Sequence, residues 1–313
     1  MFFNNGRFYL PLFIIRVITM LRLFLSVGFL FFFNPAFSTT FVIPASGDMV
    51  GEIQYTSPEP GETLSDVGIR YDVGYFEMIR VNPQVDPLRP LPLRTRLIIP
   101  SQYLLPPGPR EGIVINLAEY RLYYYPPGDN VVVTMPVGIG REGWHTPTGK
   151  TSVTVKERDP VWHPTANVRA EAAKNGTPIP DEFPAGEGNP LGRHVLRLGW
   201  PTYLIHGTNR RDGVGSRVSA GCIRMMPEDI EQLFEMVAVG TRVTVMNEPL
   251  KLGLMNGQLY VQVHPGLTDE KKINLQALLQ EKLNGYALKK TLNKPAVSTE
   301  LQSPSGMPVK ISA

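Results

Sequence analysis

Along most of the chain apolar residues come in short runs broken by turn residues. Residues 113–117, 120–125, 131–135, 151–155, 194–198, 202–206 and 241–246 have strand composition and lie between turn signals such as Pro126-Pro127-Gly128-Asp129. One helix stands among them. Pro227-Glu228-Asp229 opens it, and Ile230, Leu233, Phe234 and Val237 supply its apolar period. Seven short strands with one helix predict a mainly β domain over 111–247, built as a β-sandwich or a barrel-like body. Within it, residues 161–192 form a long excursion containing a short helix at 168–174, stopped at Gly176.

Ahead of this domain, residues 39–51 read as an extended leader. The pattern from Ile53 to Pro100 then predicts strand, helix, helix, strand, so that 39–104 make a small α+β module. A stiff Pro/Gly linker is expected over 101–111. Behind the domain, 248–290 read as a strand-helix extension, with a strand at 258–263. Its amphipathic helix is expected at 269–283, with Thr268 as N-cap and Ile273, Leu275, Leu278, Leu279 and Leu283 apolar. Residues 291–313 are expected to be a disordered tail.

Composition narrows the class. The 313 residues are 42% hydrophobic, enough for a core, and 30 prolines with 29 glycines argue against a helical bundle or a βαβ fold. Residues 23–33 are an apolar run preceded by Arg16 and Arg22 and followed by Ala36-Phe37-Ser38, the pattern of an export signal cleaved after Ser38. The rival, an uncleaved anchor, suffers because the run falls short of the ~20 residues a spanning helix needs. Loss of 1–38 removes Arg7, Arg16 and Arg22 from 31 basic side chains and leaves 28 against 28 acidic ones. The mature chain is then near neutral, and its charge implies no nucleic-acid partner.

Export makes Cys222 informative, since the only cysteine in the sequence has no internal disulfide partner. It is an intermolecular link, a reactive group or an inert buried residue. His206 stands at the end of a strand broken by Gly207, and Cys222 lies on a turn before the helix at Pro227. The glycine-rich loop between them lets the imidazole reach the sulfur, and the polar, turning surroundings favour a thiolate. Gly221 before the sulfur frees the backbone from a Cβ clash and offers an N–H to an oxyanion. Arg224 is placed either to pair with a substrate carboxylate or to hold the loop through a salt bridge. His145, His163, His194 and His264 are read as surface or packing residues. No close cluster has the three or four ligands a metal needs, and no cofactor is implied.

His206-Gly207-Thr208 followed by Ser219-x-Gly221-Cys222-Ile223-Arg224-Met225 resembles the signature of L,D-transpeptidases with a YkuD-type catalytic domain. Ile115-Asn116-Leu117, Pro147-Thr148-Gly149, the Trp162 to Pro190 excursion and Asn189-Pro190-Leu191-Gly192 are similar to the enterobacterial-type periplasmic members. The 53–100 pattern resembles LysM modules, which bind peptidoglycan sugar strands; Ser65 and Ser57-Pro58 depart from their usual pattern. The resemblance covers roughly residues 50–265. It implies Cys222 as nucleophile and His206 as its base and acid. A thioester forms at the third residue of a peptidoglycan tetrapeptide stem, with release of D-alanine. The acceptor is an amine of another stem or of a protein such as an outer-membrane lipoprotein. Ser219 and Trp162 join Arg224 as expected substrate contacts, the protein is expected to be a periplasmic monomer, and carbapenems are implied as inhibitors. Ala220 stands where many relatives have histidine. The alternatives are an L,D-carboxypeptidase that uses water, and a peptidoglycan-binding protein with a vestigial thiol.

Overall fold

The computed structural model describes residues 39–268, 273–286 and 291–312, so the export segment read at 1–38 lies outside the described residues. The chain opens with β1 (Thr39–Val42), β2 (Met49–Gly51) and β3 (Gln54–Thr56), helices α1 (Leu64–Arg70) and α2 (Tyr75–Val81), then β4 (Leu97–Ile99) and β5 (Gln102–Leu104). Next come β6 (Gly112–Asn116), β7 (Arg121–Tyr125), β8 (Val131–Pro136), β9 (Ile139–Gly140) and β10 (Gly149–Arg158). Helix α3 (Ala166–Lys174) precedes β11 (His194–Leu198), β12 (Leu204–His206), β13 (Arg217–Ser219) and β14 (Ile223–Arg224). After α4 (Pro227–Met236) and β15 (Arg242–Met246) follow β16 (Leu250–Met255), β17 (Gln258–Val263), α5 (Leu275–Leu283), α6 (Lys294–Gln302) and β18 (Val309–Lys310).

Nine strands form one sheet in the order β1-β8-β7-β6-β15-β10-β11-β12-β14, antiparallel except for the parallel pairs β6 with β15 and β12 with β14. The fold is mainly β, but not the two stacked sheets of a sandwich. The long β10 pairs with β15 at residues 149–152 and with β11 at 153–158, and a register break at Val153/Val155 lets the sheet curl there. All five residues of β7 are buried. Leu122 and Tyr124 enter the main core with Ile230, Leu233 and Phe234 of α4, whereas Tyr123 and Tyr125 enter a second core with Val50, Tyr103 and Val132. Both faces of β7 are covered because the first strands and β5 fold over its outer side.

Four expectations change. The extended leader at 39–51 is built into the sheets: β1 adds to β8, and β2 pairs with β5, which also shortens the linker expected over 101–111. β16, absent from the sequence reading, forms a hairpin with β17 through Asn256 and Gly257, both at positive φ, an Asn-Gly turn signal that was available in the sequence. The helix expected from Thr268 starts at Leu275 with Asn274 as its cap; residues 269–272 lie outside the described residues. The tail read as disordered carries α6 and β18, and it buries Val297 and Ile311 in one cluster with Leu250 and Leu259. Its apolar residues are too sparse to show a period, but β18 completes the edge of β17.

A buried polar network joins these parts. Glu119 pairs with Lys251 of β16 at 2.7 Å, and Arg121 of β7 pairs with Glu77 of α2 at 2.8 Å. Nearby, Asp72, at φ +56 just after α1, faces Asp229 in the first turn of α4, and each leaves an Oδ2 buried without a donor. Burial and then the Asp229 charge raise Asp72 well above the carboxylate range; burial brings Asp229 up to about 7 against the pull of the Asp72 hydrogen bond and of Arg121 and Arg211. One shared proton supplies the missing donor. Because the folded pair holds its protons more tightly than the unfolded chain, this contribution is full below the ordinary carboxylate pKa and starts to fall as pH rises through about 7, where Asp229 ionises, while Asp72 keeps the shared proton to higher pH. Asp72→Asn keeps a donor at every pH. It is expected to remove on the order of 2 kcal/mol of the decline in unfolding free energy between pH 5 and 8, read by denaturant melts at each pH. The buried, neutral His206 and His264 act in the opposite sense, losing stability as pH falls below the ordinary imidazole value. An identical pH dependence in variant and wild type would refute the shared proton.

Candidate active site

Register places the candidate side chains. β12 and β14 run parallel with Ile205 opposite Ile223 and His206 opposite Arg224. Since side chains alternate along a strand, Ile205 and Ile223 point into the main core, where both are essentially inaccessible. Leu204, His206, Cys222 and Arg224 then share the other face, and all four line one cavity of about 590 Å³. The sequence reading brought Cys222 and His206 together through the loop; in the fold both line one cavity because β12 and β14 are neighbours. β12 stops at His206, and the chain is tightly packed at Gly207, where a Cβ would stand 3.1 Å from Ile230 Cγ2 and 3.3 Å from the Leu191 carbonyl.

His206 is buried, and its Nδ1 lies 2.6 Å from the Gly207 carbonyl. A carbonyl only accepts, so Nδ1 carries the proton and Nε2 keeps a lone pair, the tautomer a general base needs. Burial first, and the Arg224 charge second, push the His206 pKa down to about 3 against the Gly207 hydrogen bond. Burial likewise raises the Cys222 thiol above its ordinary value, opposed by a backbone hydrogen bond at Leu204 and by Arg224, while the thiol donates to the Thr202 carbonyl at 3.5 Å. The resting pair is a neutral thiol and a neutral imidazole. This corrects the expectation of a thiolate: desolvation outweighs the polar neighbours.

Gly221 is necessary for the turn, with φ +102 and a hypothetical Cβ 2.9 Å from the Tyr203 ring. Its N–H, however, donates to Ser219 Oγ at 3.1 Å, so it is not free for an oxyanion as expected. Ser219 Oγ also donates to the Cys222 carbonyl at 2.5 Å, which commits that hydroxyl to shaping the turn rather than to substrate. Thr146, unnoticed in the sequence, fixes the same turn from outside: its hydroxyl donates to the Gly221 carbonyl at 2.9 Å and accepts from Gly140 N–H at 3.0 Å.

Arg224 has its Nε buried with no partner among the described residues, and its side chain lines the cavity. Trp162 also lines it, held by paired backbone hydrogen bonds of 2.9 and 2.8 Å to Phe183 and by ring stacking at 5.1 Å. The excursion supplies further wall at Thr165, Asn167 and Val168, and an ion pair from Glu171 of α3 to Arg141 fastens it across the opening. Asn189 closes the base of the excursion, donating to the carbonyls of Pro160, Phe183 and Pro184 and accepting from Leu191 N–H. Arg141, Trp144 and Tyr203 line the cavity and were missed by sequence reasoning; a cation and two aromatics scattered over sixty residues leave no local signal. Of the other histidines, His145 lines the cavity, His194 stacks on Phe234, His264 is buried beside Arg80, and His163 is exposed near Glu182. Among the described residues no group of three or more His, Cys, Asp or Glu is placed to hold a metal ion.

Residues 110–245 match the family described as YkuD, the L,D-transpeptidase catalytic domain. The chain is 41% identical to the probable L,D-transpeptidase YcfS of Escherichia coli K12, across 88% of this chain and 89% of that one. It is likewise 41% identical to the probable L,D-transpeptidase ErfK/SrfK of Salmonella typhimurium, across 80% of this chain and 83% of the relative. The solved catalytic domain of the E. faecium L,D-transpeptidase is 26% identical over 44% of this chain and 96% of that chain, at a TM-score of 0.34.

Proposed function

The chain belongs to the YkuD-type L,D-transpeptidases, and from that membership we propose that Cys222 is the nucleophile that acylates on a peptidoglycan tetrapeptide stem. The observation that carries the residue assignment is the shared face of β12 and β14, which sets Cys222, His206 and Arg224 around one cavity. As sulfur attacks the carbonyl of the third stem residue, the thiol proton passes to His206 Nε2. The C–N bond then breaks, the same proton goes to the departing D-alanine amine, and a thioester remains. An acceptor amine reverses these steps, giving its proton to His206 and restoring the thiol. With the Gly221 N–H occupied by Ser219 Oγ, we assign the oxyanion to the N–H of Cys222 itself. Arg224, cationic and uncommitted at Nε, takes a substrate carboxylate. Incubation with disaccharide tetrapeptide is expected to give an acyl adduct on Cys222, seen by mass spectrometry, and one D-alanine per adduct. A folded protein that binds the substrate but never acylates would instead be a binding protein.

The protein acts in the periplasm, as a monomer, on amines of a second stem or of an outer-membrane lipoprotein. What supports this setting is the export pattern of the sequence and the likeness to YcfS. The order β3-α1-α2-β4, with β3 and β4 antiparallel, supports a LysM-like module. Among the described residues no helix is long and apolar enough to cross a membrane.

Transfer rather than hydrolysis requires holding an amine where water is excluded. The excursion from 161 to 192 walls the cavity, and we assign it that role. Replacing residues 164–181 with a short Gly/Ser bridge, which keeps the Trp162–Phe183 contact, should leave acylation by a small β-lactam intact. The ratio of transfer to hydrolysis on the natural donor should fall roughly tenfold. An unchanged ratio in a folded variant would mean that the body of the domain holds the amine.

A further inference from the structure

Helix α2 begins against the loop that separates His206 from Cys222. The first N–H groups of a helix have no partner within it. Here Tyr75 N–H donates to the Val214 carbonyl at 3.3 Å and Phe76 N–H to the Gly215 carbonyl at 3.1 Å. The two backbones come this close because glycine stands on both sides. A Cβ on Gly74 would lie 2.8 Å from Gly215 Cα, and one on Gly215, at φ +78, would lie 2.2 Å from Gly74 Cα and 2.3 Å from Tyr75 N. The helix is itself anchored: Glu77 accepts Gly74 N–H at 2.9 Å and binds Arg121 of β7 through two hydrogen bonds of 3.0 and 2.8 Å, all in the interior.

From this contact the loop reaches the reacting groups by two routes. Gly213 lies against Arg224, where a Cβ would stand 3.1 Å from Nη1. Beyond Gly215, the Ser216 carbonyl accepts from Ile139 N–H at 3.0 Å, and β13 then runs to Ser219, whose hydroxyl shapes the Gly221–Cys222 turn. The catalytic-domain match starts at residue 110, so Gly74 and α2 lie outside it.

We propose that the N-terminal segment is a working part of the active site, its Gly74–Gly215 contact fixing the loop that places Arg224 and the turn carrying Cys222. The proposal rests on Cys222 being the acylated nucleophile. Gly74 and Gly215 are positioning residues, and neither lines the cavity. Gly74→Ala, at a φ of −68 that alanine accepts, wedges the helix from the loop without entering the cavity. Acylation by disaccharide tetrapeptide is expected to slow about tenfold. Alkylation of Cys222 by iodoacetamide, which needs no oxyanion donor and whose pH dependence is set first by burial of the thiol and only weakly by Arg224, should keep its rate and pH profile within about twofold. Equal acylation in variant and wild type, or a parallel fall of both reactions, overturns the proposal. Should Gly74→Ala not fold, Tyr75→Pro removes one clamp donor at a helix position where proline is favoured, after a residue whose ψ of 154 suits it. Its control, Tyr75→Ala, loses the ring but keeps the N–H. The proline variant alone is expected to acylate about threefold more slowly, and equal rates for the two overturn the clamp. A wild-type protein that is never acylated removes the transpeptidase reading and the clamp with it, whereas an acylated wild type matched by its variants removes only the clamp.

Discussion

Cys222→Ala is expected to lower transfer by roughly 10⁶-fold, the scale on which loss of a covalent nucleophile acts in enzymes whose reacting groups work as a unit. No other sulfur nucleophile exists in the sequence to take its place. Covalent capture by carbapenems should vanish with it. The fold should survive, because Cys222 is only partly buried at the edge of the Leu191, Val195 and Leu204 cluster, and its thiol makes a weak hydrogen bond to the Thr202 carbonyl at 3.5 Å. The substitution is expected to cost about 1 kcal/mol or less. Single-turnover assays with disaccharide tetrapeptide, beside a thermal melt of each protein, provide the measurement. Residual turnover within tenfold of wild type in a folded variant would falsify the assignment of the nucleophile.

His206→Gln is expected to reduce kcat/KM by about 10²–10⁴-fold, the range for removing a positioned general base. Alkylation of the thiol distinguishes how His206 acts. With a thiolate–imidazolium pair at rest, loss of the cation would shift the alkylation midpoint upward. The geometry leads to the other outcome: His206 is already neutral because burial and Arg224 hold its pKa near about 3, and Cys222 is raised by its own burial. The midpoint should therefore lie above the ordinary thiol value in both proteins and move little, while acylation collapses. For the same reason the kcat/KM profile of the wild type should show no acid limb near the ordinary imidazole value. A midpoint near neutrality in the wild type that climbs in the variant would restore the ion pair and show that Arg224 and desolvation are outweighed.

Much of this protein follows from local pattern. The strand at His194–Leu198 and the strand at Gln258–Val263 fall where alternation and flanking turn residues put them, because both signals act over a few neighbouring positions. Helix α4 starts at its proline for an equally local reason, the missing N–H being harmless in a first turn. The candidate site was legible as well. A lone cysteine beside a glycine, and a histidine at a strand end, single out by residue type the pair proposed here for acyl transfer, and Gly221 is fixed by a backbone angle that needs no Cβ.

The rest was decided by residues far apart in the chain. That β7 is buried on both faces depends on β1 and β5, and the order of the tail depends on β17 some fifty residues before β18. The sequence presented a polar, turning site suited to a thiolate, yet protonation state follows from desolvation, which exists only once the strands have buried His206 and partly covered Cys222. Ser219 and Gly221 looked available to substrate because a sequence does not show which donor has already met an acceptor; folded, each satisfies the other. Residue type and spacing thus singled out the groups proposed to react, whereas their charge, their free hydrogen bonds and the loop contacts that hold them arise from packing between segments that no local window joins.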